Sequence, residues 1–388
     1  MTDPDLTDLK IVADENIPHV QAAFAHLGSV TLIPGRSITP SHVKDADLLL
    51  VRSVTAVGRG LVHGSRVQFV GSATIGLDHV DLAYLRERGI GFAYAPGSNA
   101  NSVAEYVIAA ILTLHPNSVA GLTLGIIGLG RIGNLVQTKA DALGIKVLAN
   151  DPPLERSGRT GLVSLEKLLQ NSDIVTCHVP LITEGSDATH HLLNQRTLGM
   201  LGPAAVLINT ARGPVVDNAA LLEALNKGGL GGAVLDVWEG EPCPEPALIR
   251  AVAIGTPHIA GYSLDGKIKG TQMLYEAACA QFQRAPHWAP SGLSMERGQR
   301  VIIDANRPLL EIVRVLVQGA YDIRRDDAAC RIIADLSTAE RSQAFDRLRA
   351  TYPARWEFHN VRLLLSDASS DHTQPLTRLG FTVEATTV

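Results

Sequence analysis

The sequence predicts an α/β chain with two doubly wound parallel-sheet domains and a small C-terminal α+β domain. Three observations support this prediction. Apolar runs of strand length alternate with helical patterns up to residue 260, a glycine-rich strand–turn–helix–strand unit occupies residues 122–151, and the pattern changes after residue 290. Such alternation is typical of a parallel sheet covered by helices on both faces. At 388 residues the chain is also too long for one compact core.

The glycine-rich unit reads Gly128-Leu129-Gly130-Arg131-Ile132-Gly133 between an apolar strand and an amphipathic helix. Glycines at these three positions let the turn close, let main-chain N–H groups approach a pyrophosphate and let the helix pack on the strand. The helix N-terminus adds partial positive charge. The segment therefore predicts a dinucleotide site formed by the three glycines together with Arg131 and Ile132.

An acidic residue ends the next predicted strand, because Asp151 lies 18 positions after Gly133. A carboxylate there can accept hydrogen bonds from the ribose hydroxyls and would repel a 2′-phosphate. The sequence therefore predicts NAD rather than NADP as the cofactor. The structural alternative is an ordinary β–α turn with a solvated aspartate.

Composition excludes several classes of protein. With 46% hydrophobic and 19% charged residues the chain is typical of globular proteins. A net charge of −5 gives no general attraction to nucleic acid or to an anionic membrane. The acidic N-terminus lacks the apolar core of a signal peptide, and no apolar run approaches the roughly 18 residues of a membrane span. The four cysteines show no C-x-x-C spacing, so we expect reduced thiols, no metal site and a cytoplasmic protein.

Two apolar runs in the first hundred residues, 47–51 and 67–71, lead directly into polar clusters. In parallel sheets ligands bind beyond the carboxyl ends of the strands. Arg52 and Ser53 after the first run are candidates to bind an oxyanion, and Thr74 after the second is a candidate to bind another. The alternative is that these hydroxyl residues only cap helices and turns.

A predicted helix at 99–114 carries one apolar stripe and is ended by Pro116. This helix is expected to lead from the first sheet into the nucleotide-binding domain. Beyond residue 151 we predict a loop at 152–161 and further buried strands near 173–180, 205–209, 234–237 and 253–255.

Three chemically complementary side chains follow the last three of these strands: Arg212, Glu241 and His258. Oxidation of an alcohol next to a carboxylate needs a base, a cation and a nicotinamide. An imidazole titrates near neutral pH and suits the base, a carboxylate can fix its tautomer, and a guanidinium offers paired donors to the substrate carboxylate. Each residue taken singly is more simply explained as part of a turn or of a solvated loop than as a catalytic group. Their joint position downstream of a dinucleotide motif predicts one catalytic set.

The motifs N-T-A-R-G at 209–213, L-D-V-W-E-G-E-P at 235–242 and P-H-I-A-G at 257–261 resemble those of the D-isomer-specific 2-hydroxyacid dehydrogenases. Further motifs point to one branch of that family: D-E-N-I-P at 14–18, V-R-S-V-T at 51–55, D-H-V-D at 78–81, H-I-A-G-Y at 258–262 and Y-D-I-R-R-D-D at 321–327. The resemblance spans nearly the whole chain.

The resemblance implies an NAD-dependent enzyme of pyridoxal 5′-phosphate biosynthesis that oxidises 4-phospho-D-erythronate at C2. It implies that His258 carries the proton, with Arg212 and Glu241 as the other catalytic residues. It also implies substrate contacts from Ser53, Thr74 and Tyr262, to which the residue-level argument adds Arg52. The implied cofactor contacts beyond the glycine turn are Asp151, Val179, Thr210, Ala211, Asp236 and Gly261.

The expected domains are a substrate-binding domain (1–100 and 260–289), an NAD-binding Rossmann domain (101–259) and a C-terminal dimerisation domain (290–388). Strands are predicted near 300–304, 361–365 and 381–384, with helices at 308–317 and from a capping box at 337–340 to about 350. The resemblance implies a homodimer through this last domain.

The charged cluster at 324–327 has two interpretations. Arg324 and Arg325 beside Asp326 and Asp327 form either a solvated, self-paired charge run, or a segment that approaches the partner's active site and binds the substrate phosphate. Two other functions stay open at this stage: a dehydrogenase for another 2-hydroxy acid such as 3-phosphoglycerate, and an NAD-sensing protein of the corepressor type.

Overall fold

A computed structural model of the chain describes residues 8–290, 300–366 and 371–384. The acidic first seven residues and the segment directly after the predicted boundary at 290 lie outside these ranges. The chain divides into two compact units, one of residues 1–99 and 263–296 and the other of residues 100–262 and 297–388. These are called the first and the second unit below.

The described strands are β1 (Leu9–Asp14), β2 (Gly28–Ile33), β3 (Leu48–Val51), β4 (Phe69–Ser72), β5 (Gly91–Tyr94), β6 (Thr123–Ile127), β7 (Lys146–Asn150), β8 (Ile174–Cys177), β9 (Val206–Asn209), β10 (Gly232–Leu235), β11 (Ile254–Gly255), β12 (Arg300–Ile303), β13 (Arg362–Leu365) and β14 (Thr382–Glu384). The helices are α1 (Val20–Phe24), α2 (Pro40–Val43), α3 (Arg59–Val62), α4 (Leu82–Glu87), α5 (Ala100–Leu114), α6 (Arg131–Ala142), α7 (Pro152–Arg156), α8 (Leu165–Gln170), α9 (Gln195–Leu198), α10 (Asn218–Asn226), α11 (Pro246–Ala251), α12 (Leu264–Gln281), α13 (Leu309–Ala320), α14 (Ile323–Ile332), α15 (Thr338–Ala350) and α16 (Thr373–Leu379).

The first unit contains a five-stranded parallel sheet in the order β2-β1-β3-β4-β5. Its inner strands are apolar on both faces; all four residues of β3, for example, are buried. A strand buried on both sides needs helices above and below, which α1 and α12 provide on one face through a core that includes Phe24, Leu50 and Leu274. The carboxyl ends of β1, β3 and β4 lie side by side in this order.

The second unit contains a six-stranded parallel sheet in the order β11-β10-β9-β8-β6-β7. The chain starts at β6, moves outward to β7, and then returns to the other side of β6 to form β8. This reversal creates a switch point between β6 and β8, where doubly wound sheets bind their ligands at the carboxyl ends of the strands. The prediction of two doubly wound parallel sheets is confirmed.

The C-terminal segment (residues 300–366 and 371–384) adds a small three-stranded sheet, β12-β13-β14. The strands of this sheet are parallel. It belongs to the second unit by packing, because Val313 and Leu316 of α13 share one apolar core with Val107 and Ile111 of α5. The capping box predicted at the start of α15 is present, with Ser337 and Glu340 as its two members.

One local prediction was wrong, and one helix was not predicted. Residues 152–156, expected in a loop, form α7, because the Asp151 side chain caps the helix and a proline occupies its first turn. Residues 323–332, for which no helix was predicted, form α14, capped by Asp322. Asp326 of α14 accepts hydrogen bonds from the hydroxyls of Tyr321 and Tyr352, each at 2.8 Å.

The helices of residues 8–290, 300–366 and 371–384 are all too short or too polar to traverse a lipid bilayer.

Candidate active site

The glycine turn after β6 has the geometry that the sequence motif predicts. A Cβ on Gly133 would lie 2.2 Å from the Gly128 carbonyl oxygen, so helix α6 packs on the strand only without a side chain there. Gly128 has φ of +90°, and a Cβ on it would lie 2.7 Å from the His178 oxygen. In contrast, no heavy atom of the described residues lies within 4 Å of the position that a Cβ on Gly130 would take. The missing side chain at Gly130 therefore leaves room at the N-terminus of α6, which fits the approach of a pyrophosphate.

Asp151 at the end of β7 is fixed against this turn. Its Oδ2 accepts the Leu129 N–H at 2.8 Å and its Oδ1 accepts the Leu154 N–H at 3.0 Å. Each carboxylate oxygen can accept a further hydrogen bond. The position fits the predicted contact with the adenosine ribose, although the carboxylate also has the structural role of capping α7.

The other side of the switch point is formed by the ends of β8 and β9. The Val179 side chain lies 2.8 Å from where a Cβ on Gly128 would be, so Val179 adjoins the glycine turn. Thr210 Oγ1 is 3.4 Å from His178 Nδ1. Burial lowers the pKa of His178 to about 3, so this imidazole is neutral at physiological pH. The Ala211 N–H is bound by the Asn209 side chain at 3.0 Å.

Arg212 follows β9 and begins a short 3₁₀ turn (Gly213–Val215). The Asn209 side-chain amide donates to the Arg212 carbonyl at 2.9 Å, and Arg212 Nη1 donates to the Ala211 carbonyl at 2.7 Å. A Cβ on Gly213 would lie 2.0 Å from the Trp238 carbonyl oxygen. The loop that carries Arg212 therefore lies directly against the loop that follows β10, and only glycine permits that approach.

His258 and Glu241 form a hydrogen-bonded pair, with 2.7 Å between His258 Nδ1 and Glu241 Oε2. The second carboxylate oxygen, Oε1, accepts the Trp238 N–H at 2.9 Å, which fixes the carboxylate to its own loop. The side chains of His258 and Glu241 are 32% and 22% exposed, so the pair is accessible. With Nδ1 engaged, Nε2 is the ring nitrogen that remains to exchange a proton with a substrate.

The pKa of Glu241 lies below its ordinary value. Burial of the carboxyl group acts in the opposite direction and is the largest effect, but the charge and hydrogen bond of His258, the Trp238 N–H and the charge of Arg349 together outweigh it. Glu241 is therefore ionised throughout the neutral pH range and stabilises a positive charge on His258.

The loop of His258 is held by Asp236. His258 has φ of +59°, a region that side-chain-bearing residues rarely adopt, and its N–H donates to the Asp236 carbonyl at 2.7 Å. The Asp236 carboxylate accepts the N–H groups of Ile259 and Ala260 at 2.7 and 2.9 Å and the Thr256 hydroxyl at 2.7 Å. Asp236, expected at the cofactor, is only 1% exposed, and burial raises its pKa. In this structure the buried Asp236 carboxylate stabilises the conformation of the loop through these hydrogen bonds.

The C-terminal segment also supports this loop, which the sequence did not predict. Arg355 is buried and donates to the Ala260 carbonyl at 2.5 Å, which also accepts the Ser102 hydroxyl at 2.8 Å. The Tyr262 ring packs edge-on against Tyr352 at 5.8 Å between centroids. No local pattern indicates these contacts, because the partners lie some ninety residues apart in the chain.

The substrate residues predicted in the first unit lie at the carboxyl ends of neighbouring strands. Arg52 after β3 donates through Nε to Asp14 Oδ2 at 2.9 Å, at the end of β1. Thr74 after β4 is 2.7 Å from the Ser72 hydroxyl and donates to the Gly76 carbonyl at 3.0 Å. Ser53 is exposed. The hydroxyl of nearby Thr55 donates to the Gly35 carbonyl at 2.8 Å, which is a turn-stabilising role.

Comparison with known families agrees with this geometry. Residues 102–260 match the family "D-isomer specific 2-hydroxyacid dehydrogenase, NAD binding domain". Residues 299–380 match a family described only as a domain of unknown function, DUF3410.

Curated relatives match over almost the entire chain. The erythronate-4-phosphate dehydrogenase of Salinibacter ruber is 47% identical over 386 residues, which cover 96% of this chain and 98% of the relative. The protein of the same name from Cellvibrio japonicus is 46% identical, with 96% and 99% covered. The one from Escherichia coli O127:H6 is 43% identical, with 96% and 98% covered.

Solved structures agree on the fold. D-lactate dehydrogenase from Aquifex aeolicus, complexed with NAD and lactic acid, superposes with a TM-score of 0.61 at 28% identity, covering 71% of this chain and 96% of that one. A D-lactate dehydrogenase from Treponema pallidum gives 0.58 at 25% identity, covering 71% and 98%. This chain is an NAD-dependent oxidoreductase. It belongs to the erythronate-4-phosphate dehydrogenase family, within the D-isomer-specific 2-hydroxyacid dehydrogenases.

Proposed function

We propose that the chain oxidises 4-phospho-D-erythronate at C2 with NAD, giving (R)-3-hydroxy-2-oxo-4-phosphooxybutanoate and NADH, in pyridoxal 5′-phosphate biosynthesis. The C2 hydroxyl loses its proton to the protein and C2 loses a hydride to the cofactor. The names of relatives that match 96% of the chain support this choice of substrate.

The main support for the proposal is the hydrogen-bonded pair of His258 and Glu241, with 2.7 Å between His258 Nδ1 and Glu241 Oε2. His258 accepts the hydroxyl proton through Nε2 while Glu241, ionised at neutral pH, stabilises the imidazolium that forms. Arg212, in the adjacent loop, binds the substrate carboxylate and the C2 oxygen with its planar donors. The three residues follow β9, β10 and β11, which are neighbours in the sheet.

NAD, when bound, accepts the hydride from C2. The main chain at Gly128, Gly130, Arg131, Ile132 and Gly133 would hold its pyrophosphate, and Asp151 would bind the adenosine ribose. The remaining proposed contacts are Val179, Thr210, Ala211, Asp236 and Gly261. The open space at Gly130 supports this assignment.

For the substrate, the proposed contacts are Arg52, Ser53, Thr74 and Tyr262. Their positions after parallel strands, or after the His258 loop in the case of Tyr262, support the assignment. The pairing of Arg52 with Asp14 leaves a guanidinium with further donors on its Nη atoms.

The proposed enzyme is a cytoplasmic homodimer joined through the C-terminal segment. Four unpaired cysteines, three of them buried, are in keeping with a reducing compartment. Three of the five large apolar side chains that are exposed in the described ranges lie in this segment: Ile302, Val315 and Ile332. These side chains are the candidates for the apolar part of the proposed interface.

A dehydrogenase acting on 3-phosphoglycerate or another 2-hydroxy acid would use the same three catalytic residues. An NAD-sensing corepressor would bind NADH without turnover. The intact pair of His258 and Glu241 favours an enzyme over a sensor, because a sensor has no use for a proton acceptor held in this way.

The decisive experiment follows NADH absorbance with 4-phosphoerythronate, 3-phosphoglycerate and D-lactate as separate substrates. We expect the highest kcat/KM for 4-phosphoerythronate. The His258→Ala variant should retain NAD binding but lose roughly 10²–10⁴-fold in kcat, because it lacks the proton acceptor. Equal rates of the variant and the wild type, or preference for another acid, would contradict the proposal.

A further inference from the structure

One cation from the C-terminal segment lies at the catalytic loops, and the mechanism above does not use it. Arg349 is in the last turn of α15. Its guanidinium carbon is 5.8 Å from the centre of the Tyr262 ring, and its side chain hydrogen-bonds with that of Tyr262. It is also close enough to Glu241 for the two charges to interact.

The surroundings of Arg349 do not use its full donor capacity. A guanidinium carries five N–H donors, and the Nε of Arg349 is buried with no hydrogen-bond partner in the described ranges. Glu241 does not need Arg349 as a hydrogen-bond donor, since its two oxygens already accept from His258 and Trp238. A half-buried guanidinium with a buried donor that makes no hydrogen bond is costly for a structure unless a ligand completes its hydrogen bonds.

The proposed substrate carries a phosphate, which would offer hydrogen-bond acceptors to Arg349. Arg212 is committed to the carboxylate and the C2 oxygen, and a phosphorylated acid carries a second anionic group at the far end. Arginine binds phosphate with paired, charge-assisted hydrogen bonds. Tyr262 is itself a predicted substrate contact, so Arg349 lies beside a side chain already assigned to the substrate.

We propose that Arg349 is a specificity-determining residue that binds the phosphate of the substrate together with Tyr262. The C-terminal segment then contributes directly to the catalytic centre of its own chain. This inference rests on the proposed function, because it takes a phosphorylated 2-hydroxy acid as the substrate.

A purely structural role for Arg349 makes different predictions. A basic residue in the last turn of a helix interacts favourably with the helix dipole, and a guanidinium near an aromatic ring adds a cation–π contact. Loss of either interaction would weaken the turnover of every substrate to the same degree. A phosphate contact, in contrast, affects only substrates that carry the phosphate.

The test compares 4-phosphoerythronate with unphosphorylated D-erythronate in the wild type and in Arg349→Met, Arg349→Lys and Arg347→Ala. Arg347 is exposed on the same helix and serves as the matched control. For Arg349→Met we expect the KM for 4-phosphoerythronate to rise by roughly 10- to 100-fold, the range for loss of a charge-assisted hydrogen bond. We expect little change in the kcat/KM for D-erythronate or in the KM for NAD, and partial recovery in Arg349→Lys.

Inorganic phosphate gives a second measurement that does not depend on turnover of the acid. It should inhibit the wild type competitively against 4-phosphoerythronate and should inhibit Arg349→Met much more weakly. Equal losses for both acids in Arg349→Met, with unchanged inhibition by phosphate, would refute the inference while leaving the proposed function intact. A wild type that prefers D-erythronate or fails to oxidise either acid would refute both.

Discussion

At residue scale, the proposed chemistry depends on the hydrogen bond between His258 Nδ1 and Glu241 Oε2. His258 has a backbone conformation with φ of +59°, and Glu241 is anchored by the Trp238 N–H. Both side chains are thus presented by main chain that is fixed independently of any substrate. Such preorganisation means that His258, the proposed proton acceptor, needs little rearrangement when the alcohol binds.

The charge of Glu241 should be visible in the pH dependence of the enzyme. Because its pKa is lowered, Glu241 stays a carboxylate as the pH falls through its ordinary range near 4.5. A carboxylate beside an imidazole favours the protonated ring, which cannot accept the substrate proton. In Glu241→Gln the acid limb of the kcat/KM profile should therefore move to lower pH, while kcat at the optimum falls by at least roughly tenfold.

Glu239→Gln is the matched control for this measurement. Glu239 lies two positions away and accepts a hydrogen bond from His191 at 2.7 Å, not from His258. We expect its profile to keep the wild-type acid limb. An unchanged acid limb in Glu241→Gln would show that the carboxylate does not act on the proton acceptor.

At the scale of elements, the conformation of the loop after β11 determines where the His258 side chain lies. Asp236, at the end of β10, collects three donors from residues 256–260, while the Tyr106 hydroxyl of α5 contacts the Thr256 hydroxyl at 2.7 Å. Trp238 adds a hydrogen bond from Nε1 to the Thr256 carbonyl at 2.9 Å. This network ties the ends of β10 and β11 together and fixes the direction of the His258 side chain.

Asp236→Asn separates a loop-supporting role from a direct cofactor contact. The amide nitrogen would face an N–H or a hydroxyl donor, and an unsatisfied buried donor costs about 1–3 kcal/mol. We expect a lower Tm and a lower kcat, with the KM for NAD changed much less than kcat. A large rise in the KM for NAD with normal Tm and kcat would instead favour the contact that the family resemblance implies.

At the scale of the whole molecule, the C-terminal segment is built into the second unit. Its α13 shares a core with α5, Asp327 accepts the Gly255 N–H of β11 at 2.8 Å, and Arg355 holds the Ala260 carbonyl. These contacts act on the catalytic loop itself. Changes within this segment should therefore alter the proposed catalysis as well as the proposed dimer.

The proposed dimer can be tested at β12, an edge strand of its sheet with Ile302 78% exposed. Unpaired edges with outward apolar side chains readily associate. We expect light scattering after size exclusion to give twice the 41.3 kDa chain mass for the wild type and a shift toward 41.3 kDa for Ile302→Asp. Leu32→Asp, at a 44% exposed leucine of the first unit, is the control and should stay dimeric. A monomeric wild type, or a dimeric Ile302→Asp, would contradict an interface at this edge.

Much of the fold was predictable because its elements are determined by sequence patterns that span only a few residues. The β-α-β unit around Gly128, the apolar strands such as β3 and the capping box at Ser337 depend on neighbours within a few residues. The helices α7 and α14 were not predicted, since both have polar sequences whose helical state depends on an N-cap and on packing rather than on an apolar stripe.

The sequence by itself determined the two parallel sheets, the dinucleotide turn and the residue types of the catalytic set, because strand and helix periodicity and the motifs at strand ends are local properties. Only the tertiary structure decided that His258 Nδ1 meets Glu241, that Asp236 is buried beneath the loop, and that Arg349 and Arg355 reach that loop from the C-terminal segment. These contacts join residues from 17 to 95 positions apart in the chain. No pattern in the chain specifies such pairings, because they arise when separate elements pack around a common core.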